Sequence, residues 1–331
     1  MDIVRRSLLI SPLLAAVAPT LAATQAPGMP TGRSFAWPTP SASIELWPQG
    51  VPGPVPAGLK EVIIDEPKDN KSHFRHLYGV SVPRLAVFPA KKPNGSAMLV
   101  IPGGGFVNNY FDHEGYMLAD YLNSQGVTCF VLFYRLAHDG WANPADVALI
   151  DTWRAMRLIR SHAKTYGLDA ARVGVIGFSA GGFLTSSLAT RHAQALYPAV
   201  DAADALPARP YLAAPIYPVQ SVDPAYAYSG VATELFGGKV TPQLVAKYSP
   251  DRNVDANTPP VFLCHAEDDT VVPIENTLAF RAALRAQKIP VETHLFATGG
   301  HGFGMTPAPS QPFRDWPQLF AAFARARGLM G

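Results

Sequence analysis

The stretch RVGVIGFSAGGFLTSSLA, residues 172–189, decides the fold of this protein. The apolar run up to Phe178 is typical of a strand buried on both faces, and the residues after Ser179 have helical character. Gly177, Ser179 and Gly181 match the pattern G-x-S-x-G, which places a serine on a sharp turn between a strand and a helix. An N-cap serine would not require these two glycines, so we favour a nucleophile over a simple helix cap.

The same alternation of strands and helices continues from about residue 75 to the end of the chain. The continuous apolar run VTCFVLFYR at 127–135 predicts a buried strand, and residues 146–167 carry apolar side chains at helical spacing. We therefore predict an α/β fold with a mostly parallel, doubly wound sheet and helices on both faces. A segment rich in Pro, Tyr, Asp and Ala at 218–260 interrupts the alternation, and it is either a lid or binding insertion or a surface excursion.

The composition is globular, since 48% of the 331 residues are hydrophobic, 16% are charged and the formal net charge is only +2. Because no dense basic run follows the amino-terminal arginines, nothing indicates binding to nucleic acid. Cys129 and Cys264 lie in apolar runs, which predicts buried thiols. Two cysteines are too few for a structural zinc site and the HExxH pattern is absent, so we expect no metal.

The amino terminus has the parts of an export signal. Two adjacent arginines precede a short apolar stretch and small residues, so we expect residues 1–26 to be a signal peptide cleaved between Ala22 and Ala26. The paired arginines also suggest the twin-arginine route. The mature protein is then periplasmic or secreted and has no membrane span. A proline-rich lead-in at 27–74 precedes a single domain at 75–331.

A reactive serine requires hydrogen-bond donors for the developing oxyanion, and the stretch IPGGGF provides a glycine-rich loop at the end of an earlier strand. We assign the oxyanion hole to the backbone N–H groups of Gly104, Gly105 and Ala180. The loop is similar to the HGGG loop of esterases and lipases, with Pro102 where that motif has histidine. A phosphate-binding loop is the alternative, but its lysine pattern is missing.

A base and an acid must follow the serine in the chain. Four histidines do so: His192, His265, His294 and His301. We choose His301 as the base because its glycine-rich surroundings, ATGGHGFG, allow an imidazole to reach across the end of the sheet. For the acid, HAEDDTVVP aligns with a recurring hydrolase pattern, H-G-x-x-D-x-x-V-P, which selects Asp269 and leaves Asp268 as the alternative.

Together these motifs resemble the α/β-hydrolase superfamily, and specifically the secreted bacterial carboxylesterases called acetylxylan-esterase-like, of the BD-FAE type. The resemblance extends from about residue 42 to the end of the chain. Besides the motifs above, it rests on LWPQGVPG, DHEGYMLADYLNSQGV, FYRLA, LIDTWRAMRLIRSHA and YSPDRNVDANTPPVFLCHAEDDTVVPIEN.

This resemblance implies an eight-stranded hydrolase sheet, a catalytic triad of Ser179, Asp269 and His301, and no cofactor. It also implies hydrolysis of short acyl esters, with acetylated xylan or another carbohydrate ester as the substrate. Phe106 and Glu114 are expected to bind this substrate. For Glu114, orientation of the oxyanion loop and capping of the next helix are the alternatives.

Two other functions are compatible with the same motifs. A serine peptidase of the prolyl-oligopeptidase kind shares the serine turn and a similar acid loop, but no propeller domain is recognisable in this sequence. A non-catalytic binding protein on a hydrolase scaffold usually lacks a member of the triad, whereas this chain has a candidate for each member. We therefore expect an esterase.

Overall fold

The computed structural model describes residues 38–67, 73–306, 308 and 310–331. The strands within these ranges are β1 Ala42–Glu45, β2 Val62–Pro67, β3 His73–Tyr78, β4 Arg84–Phe88, β5 Ala97–Ile101, β6 Thr128–Phe133, β7 Val173–Phe178, β8 Ala213–Ile216, β9 Val261–Ala266 and β10 Val291–Phe296. The α-helices are α1 Met117–Ser124, α2 Pro144–Ser161, α3 Ala163–Tyr166, α4 Ser179–Arg191, α5 Gly230–Phe236, α6 Pro242–Tyr248, α7 Glu275–Ala286 and α8 Trp316–Ala326.

Eight strands form one sheet in the order β1-β4-β6-β5-β7-β8-β9-β10. The pairings from β6 through β10 are parallel, and β4 is antiparallel to both β1 and β6. Strands β5 to β9 are buried at every residue, which accounts for their continuous apolar sequences. The parallel pairing places the carboxyl ends of β5 and β7 to β10 along one edge of the sheet, where loops can converge.

The sheet begins earlier in the chain than the predicted boundary at residue 75. Strand β1 lies in the predicted lead-in, yet it pairs with β4, Ala42 opposite Val87 and Glu45 opposite Arg84. The lead-in also holds β2, which pairs with β3 in a separate two-stranded antiparallel sheet. This corrects the boundary, because residues from Ala42 onward belong to the domain. Strand β1 is short and mostly exposed at the sheet edge, so it carries no apolar run to reveal it.

Buried polar contacts link Leu46 and Trp47, the segment directly after β1, to helix α2. The indole N–H of Trp47 donates to Oδ1 of Asp151 over 2.8 Å, and the same buried carboxylate pairs with the guanidinium of Arg135 at 2.9 Å. Arg154, also fully buried, donates to the carbonyl oxygen of Leu46 over 3.0 Å. Breaking such buried pairs leaves an uncompensated charge, so these contacts hold the segment beside α2.

The segment at 218–260 forms a helical insertion between β8 and β9. It contains α5, α6 and a 3₁₀ turn at Pro250–Arg252. The backbone N–H of Val222 donates to Oγ of Ser249 over 3.1 Å, which ties the two ends of the insertion together. The insertion is therefore built from regular elements.

The predicted export signal at 1–26 lies outside the described residues. Across the described ranges, no helix combines the length and the hydrophobicity that crossing a bilayer requires. The longest, α2, has 18 residues but includes acidic and basic side chains.

Candidate active site

Ser179 lies at the turn between β7 and α4, and its backbone has a positive φ of 51°. Residues other than glycine rarely adopt this region, which is strained. A Cβ at Gly177 would lie 2.4 Å from the carbonyl oxygen of Gly181, and a Cβ at Gly181 would lie 2.1 Å from that of Ile101. Both positions therefore require glycine, as the sharp turn of the G-x-S-x-G pattern demands.

Ser179, His301 and Asp269 form a continuous chain of hydrogen bonds. Oγ of Ser179 lies 2.8 Å from Nε2 of His301, and Nδ1 of His301 lies 2.6 Å from Oδ2 of Asp269. The three residues follow β7, β10 and β9, which are parallel strands in the same part of the sheet. The structure thus brings together the three side chains that the sequence analysis selected.

Asp269 is held by four hydrogen-bond donors. Its Oδ1 accepts from the backbone N–H groups of Val271 and Val272, each over 2.9 Å. Its Oδ2 accepts from His301 and also from Nε2 of His265 over 3.0 Å. Burial opposes ionisation of this carboxyl, but the hydrogen bonds from His265 and His301 outweigh it and hold the pKa of Asp269 well below its usual range. Asp269 is therefore an ionised acceptor fixed on both oxygens.

Asp268, the alternative acid, has a different position. Its side chain is exposed, and its Oδ1 accepts from the backbone N–H of Gly300 over 2.7 Å. Gly300 directly precedes His301, so Asp268 braces the loop that carries the imidazole. The geometry favours Asp269 as the partner of His301.

His265 orients the acid, a role that the sequence analysis did not assign when it considered this histidine as a base. Its ring is fully buried, and its Nε2 faces two acceptors, Oδ2 of Asp269 and the carbonyl oxygen of Val272 at 3.2 Å. Nε2 therefore carries a hydrogen, and Nδ1 is within hydrogen-bond distance of Oγ1 of Thr277, at 2.8 Å. The available signal was the hydrolase pattern itself, because it begins at His265.

The peptide planes of the glycine-rich loop are fixed by its own hydrogen bonds. The carbonyl oxygen of Gly103 accepts from the N–H of Tyr110 over 3.0 Å, and that of Gly104 accepts from the N–H of Asn108 over 2.9 Å. In a trans peptide the N–H points opposite to the preceding carbonyl. The N–H groups of Gly104 and Gly105 are therefore directed away from the contacts that hold the loop.

The amides assigned to the oxyanion hole have no hydrogen-bond acceptor within the part of the chain that the structure describes. Ala180 is in the first turn of α4, where backbone N–H groups lack an acceptor inside the helix. Gly104 and Gly105 line the same cavity as Ser179. Gly103 contacts the serine so closely that a Cβ there would lie 2.9 Å from Cβ of Ser179. All three predicted donors are thus available next to Ser179.

A cavity of about 480 Å³ opens over Ser179 and His301. Its other lining residues are Glu66, Gly104, Gly105, Val107, Asn108, Tyr110, His113, Glu114, Tyr228, Val271 and Gly302. A second cavity, of about 520 Å³, lies in the insertion between Asp223 and Arg252 and contains none of the predicted site residues. No group of three or more His, Cys, Asp or Glu side chains is arranged to hold a metal ion within the described ranges.

The prediction that Phe106 binds substrate is wrong. The chain reverses at Gly105 and Phe106, which both have positive φ. This reversal turns the phenyl ring into the core, where it is 1% exposed and packs edge-on against Phe183 at 5.7 Å between centroids. Phe106 does not line the cavity, because the direction of a side chain in such a loop depends on backbone angles that the sequence does not reveal.

Glu114 lines the cavity but is engaged by protein groups. Its Oε2 accepts from the N–H of Gly103 over 2.7 Å, and its Oε1 accepts from the hydroxyl of Tyr217 over 2.7 Å. The contact with Gly103 agrees with the alternative that Glu114 orients the oxyanion loop. Tyr217 was missed by the sequence analysis, although its ring packs edge-on against His301 at 5.1 Å. No pattern in the sequence distinguishes this tyrosine.

The insertion contributes Tyr228 to the cavity. A Cβ at Gly105 would lie 3.1 Å from the hydroxyl oxygen of Tyr228, so this side chain covers the oxyanion loop. A plain surface excursion does not account for this contact. Closure of the insertion as a lid stays a prediction.

Residues 86–284, more than half of the chain, match the family model described as BD-FAE. The chain belongs to the BD-FAE family. The matched range includes Ser179 and Asp269 as well as the glycine-rich loop, and it ends before His301.

Curated relatives of this BD-FAE chain include an acetylxylan esterase and a xylanase. It is 31% identical over 225 residues to an acetylxylan esterase of Xylanibacter ruminicola, an alignment that covers 67% of this chain and 44% of the relative. It is 32% identical over 268 residues to endo-1,4-beta-xylanase B of Butyrivibrio fibrisolvens, covering 81% of this chain and 41% of the relative. The chain thus spans less than half the length of either relative.

Solved structures confirm the α/β-hydrolase fold of the BD-FAE chain. An acetyl ester-xyloside bifunctional hydrolase from Caldicellulosiruptor lactoaceticus matches with a TM-score of 0.73 and 30% identity over 89% of this chain and 99% of that one. The carboxylesterase Cest-2923 from Lactobacillus plantarum matches with a TM-score of 0.61 and 19% identity over 82% of this chain and 99% of that one. The second likeness concerns the fold alone.

Proposed function

We propose that this protein is a serine carboxylic ester hydrolase that removes short acyl groups, above all acetyl, from carbohydrate. The observation that carries the proposal is the hydrogen-bonded chain Ser179–His301–Asp269 beside a cavity lined by backbone amides without acceptors. The acetylxylan esterase relative and the acetyl ester-xyloside hydrolase neighbour support the ester chemistry and the carbohydrate substrate.

In the first half of the reaction, Oγ of Ser179 attacks the acyl carbonyl while Nε2 of His301 takes the hydroxyl proton. The carbonyl oxygen becomes an oxyanion that accepts from the N–H groups of Gly104, Gly105 and Ala180. Asp269 holds the imidazole through Nδ1 and stabilises its positive charge. The tetrahedral intermediate then collapses, His301 returns the proton to the leaving alcohol, and the acyl group remains on Ser179.

In the second half, a water molecule takes the place of the alcohol. His301 accepts a proton from this water as its oxygen attacks the acyl carbonyl, and the same three amides bind the second oxyanion. Collapse of the intermediate releases the carboxylic acid and returns the proton to Oγ of Ser179. Neither half requires a metal or an organic cofactor.

We expect a preference for short acyl chains because Tyr228 covers the oxyanion loop beside Ser179. The test is a panel of p-nitrophenyl acetate, butyrate and octanoate, with acetylated xylan, a feruloyl ester and p-nitroacetanilide. Acetate is expected to exceed octanoate by at least about tenfold in kcat/KM, since each misplaced methylene costs binding. Tyr228→Ala is expected to lower the ratio of kcat/KM for the acetate to kcat/KM for the octanoate.

A different ranking in this panel would contradict the proposal in a defined way. Preference for octanoate would indicate a long-chain lipase. Cleavage of the anilide at a rate comparable to that of the acetate would favour the peptidase alternative. Release of ferulate in preference to acetate would assign a different acyl group.

We infer that residues 1–26 direct export and that the remaining chain acts outside the cytoplasm. The supporting observation is the order of paired arginines, a short apolar stretch and small residues. An acetylated polysaccharide is found outside the cell, so export agrees with the proposed substrate. The mass of the secreted protein would show whether cleavage falls between Ala22 and Ala26.

A further inference from the structure

We propose that the hydrogen bond between Glu114 and Tyr217 positions the oxyanion loop and the loop of His301 relative to each other. The inference rests on the proposed esterase function and adds two positioning residues to it. Neither side chain is assigned to contact the reacting atoms. Each is instead held between a backbone group of one loop and its partner in the bridge.

On the oxyanion side, the bridge reaches the backbone next to the nucleophile. Oε2 of Glu114 accepts from the N–H of Gly103, and Gly103 contacts Ser179. Glu114 lies in a single π-helical turn, Asp112–Tyr116, that precedes α1. Arg75 holds this turn in place, because it donates to both carboxylate oxygens of Asp112. The carboxylate is therefore a fixed acceptor for the loop.

On the histidine side, Tyr217 contacts the loop of His301 in two ways. Its hydroxyl oxygen accepts from the N–H of Gly304 over 2.9 Å, while its ring packs edge-on against His301 and against Phe303, the latter at 4.5 Å between centroids. The backbone of Tyr217 is held against β9, because its N–H donates to the carbonyl oxygen of Cys264 over 2.6 Å. One tyrosine thus supports the imidazole and the backbone that follows it.

The bridge is buried, which makes each partner dependent on the other. Tyr217 is fully buried and Glu114 is 3% exposed. Burial raises the pKa of Tyr217 well above its usual value, so the hydroxyl keeps its proton and donates it to the carboxylate. The π-helical turn that carries Glu114 also bonds directly to the loop of His301, because the N–H of Met305 donates to the carbonyl oxygen of His113. The Glu114–Tyr217 bond, by contrast, leads to Gly103 beside Ser179 and to the ring of His301.

The first test is Tyr217→Phe, which removes the bridge and keeps the ring against His301. We expect kcat for p-nitrophenyl acetate to fall about tenfold to a hundredfold with little change in KM, since a misplaced oxyanion donor costs less than a missing one. The matched control is Tyr197→Phe, whose hydroxyl also bonds a carboxylate, Asp204 at 2.6 Å, away from the cavity. That control is expected to keep kcat within about twofold, because it removes a comparable bond outside the site.

The second test distinguishes the loss of the bridge from the loss of the negative charge of Glu114 and from a general loss of stability. Glu114→Gln can still accept from Gly103 and bond Tyr217, so it is expected to retain most of kcat, whereas Glu114→Ala is expected to lose as much as Tyr217→Phe. The double variant Glu114→Ala/Tyr217→Phe is expected to lose no more than about the larger single loss, because both changes break one connection.

Three results would overturn the bridge: wild-type kcat in Tyr217→Phe, equal losses in Glu114→Gln and Glu114→Ala, or losses that multiply in the double variant. Thermal unfolding of each variant shows whether it is folded. Glu114→Gln provides a readout even where Glu114→Ala does not fold. The wild type separates this inference from the proposed function. If the wild type neither cleaves acetyl esters nor reacts with a fluorophosphonate, the esterase proposal fails, and so does the bridge inference that rests on it.

Discussion

Replacing Ser179 by alanine is expected to lower kcat for p-nitrophenyl acetate by about a millionfold, the loss typical of removing a serine nucleophile. The reason is geometric, because Oγ of Ser179 is the hydroxyl that His301 contacts through Nε2, at 2.8 Å. Hydrolysis is measured over the pH range of activity, and circular dichroism shows whether the variant is folded. Alanine and serine are similarly strained at a positive φ, so the substitution is expected to leave the fold intact.

The matched control for this prediction is Ser187→Ala. Ser187 lies on the same helix, is fully buried, and its Oγ has no hydrogen-bond partner within the described residues. A fluorophosphonate is expected to label the wild type and Ser187→Ala but not Ser179→Ala. Retained turnover in a folded Ser179→Ala protein would show that another group carries out the reaction.

The second large effect is expected for Asp269→Asn, which should lower kcat by about 10⁴. The two N–H groups of Val271 and Val272 keep an oxygen at the Oδ1 position, so the new NH₂ group must face His301. Nδ1 of His301 then has to accept, which moves the ring hydrogen to Nε2. In that tautomer the imidazole cannot take the proton of Ser179.

Asp268→Asn is the neighbouring control, and it is expected to keep kcat within a fewfold because an amide oxygen can still accept from Gly300. If Asp268→Asn were inactive and Asp269→Asn active, the assignment of the acid would be reversed. Equal and small losses in both variants would show that the carboxylate contributes little to the reaction.

Asp269→Asn also tests the ionised state of Asp269 through stability. The folded-state pKa of Asp269 is lowered, so folding releases protons and its contribution to stability is present in full above about pH 5. That contribution is lost as pH falls from about 4 towards the lowered folded pKa. The difference in Tm between wild type and Asp269→Asn is therefore expected to shrink on acidification, and a constant difference would contradict the lowered pKa.

The parts of the fold that the sequence predicts well are those with a continuous apolar signal. Strands β5 to β9 are buried along their whole length, so each appears as an uninterrupted apolar run. Strand β1 and the β2–β3 pair lack such runs because they lie at an edge or outside the main sheet. Strand β1 also pairs with β4, a partner distant in the chain, and local patterns do not encode such a pairing.

The candidate site likewise contains residues that the sequence predicts and residues that it does not. Gly177 and Gly181 could be predicted from the sequence because contacts below 3 Å leave no room for a side chain at either position. Asp269 was separable from Asp268 only by a known pattern, since the two carboxylates are adjacent and chemically alike. Phe106 was misjudged and Tyr217 was missed because both depend on where a loop directs a side chain. Residue type and spacing carry no information on that direction.

The position of β10 bears on how the proposed activity would be lost. This strand is the last in the sheet order, pairs with β9, and has no fully buried residue, yet the histidine loop follows directly after it. The serine, by contrast, follows β7 in the middle of the sheet. Local opening costs least free energy at such margins. Fraying of β10 would therefore separate His301 from Ser179 while the interior stays folded, so we expect the proposed activity to be lost before the protein unfolds.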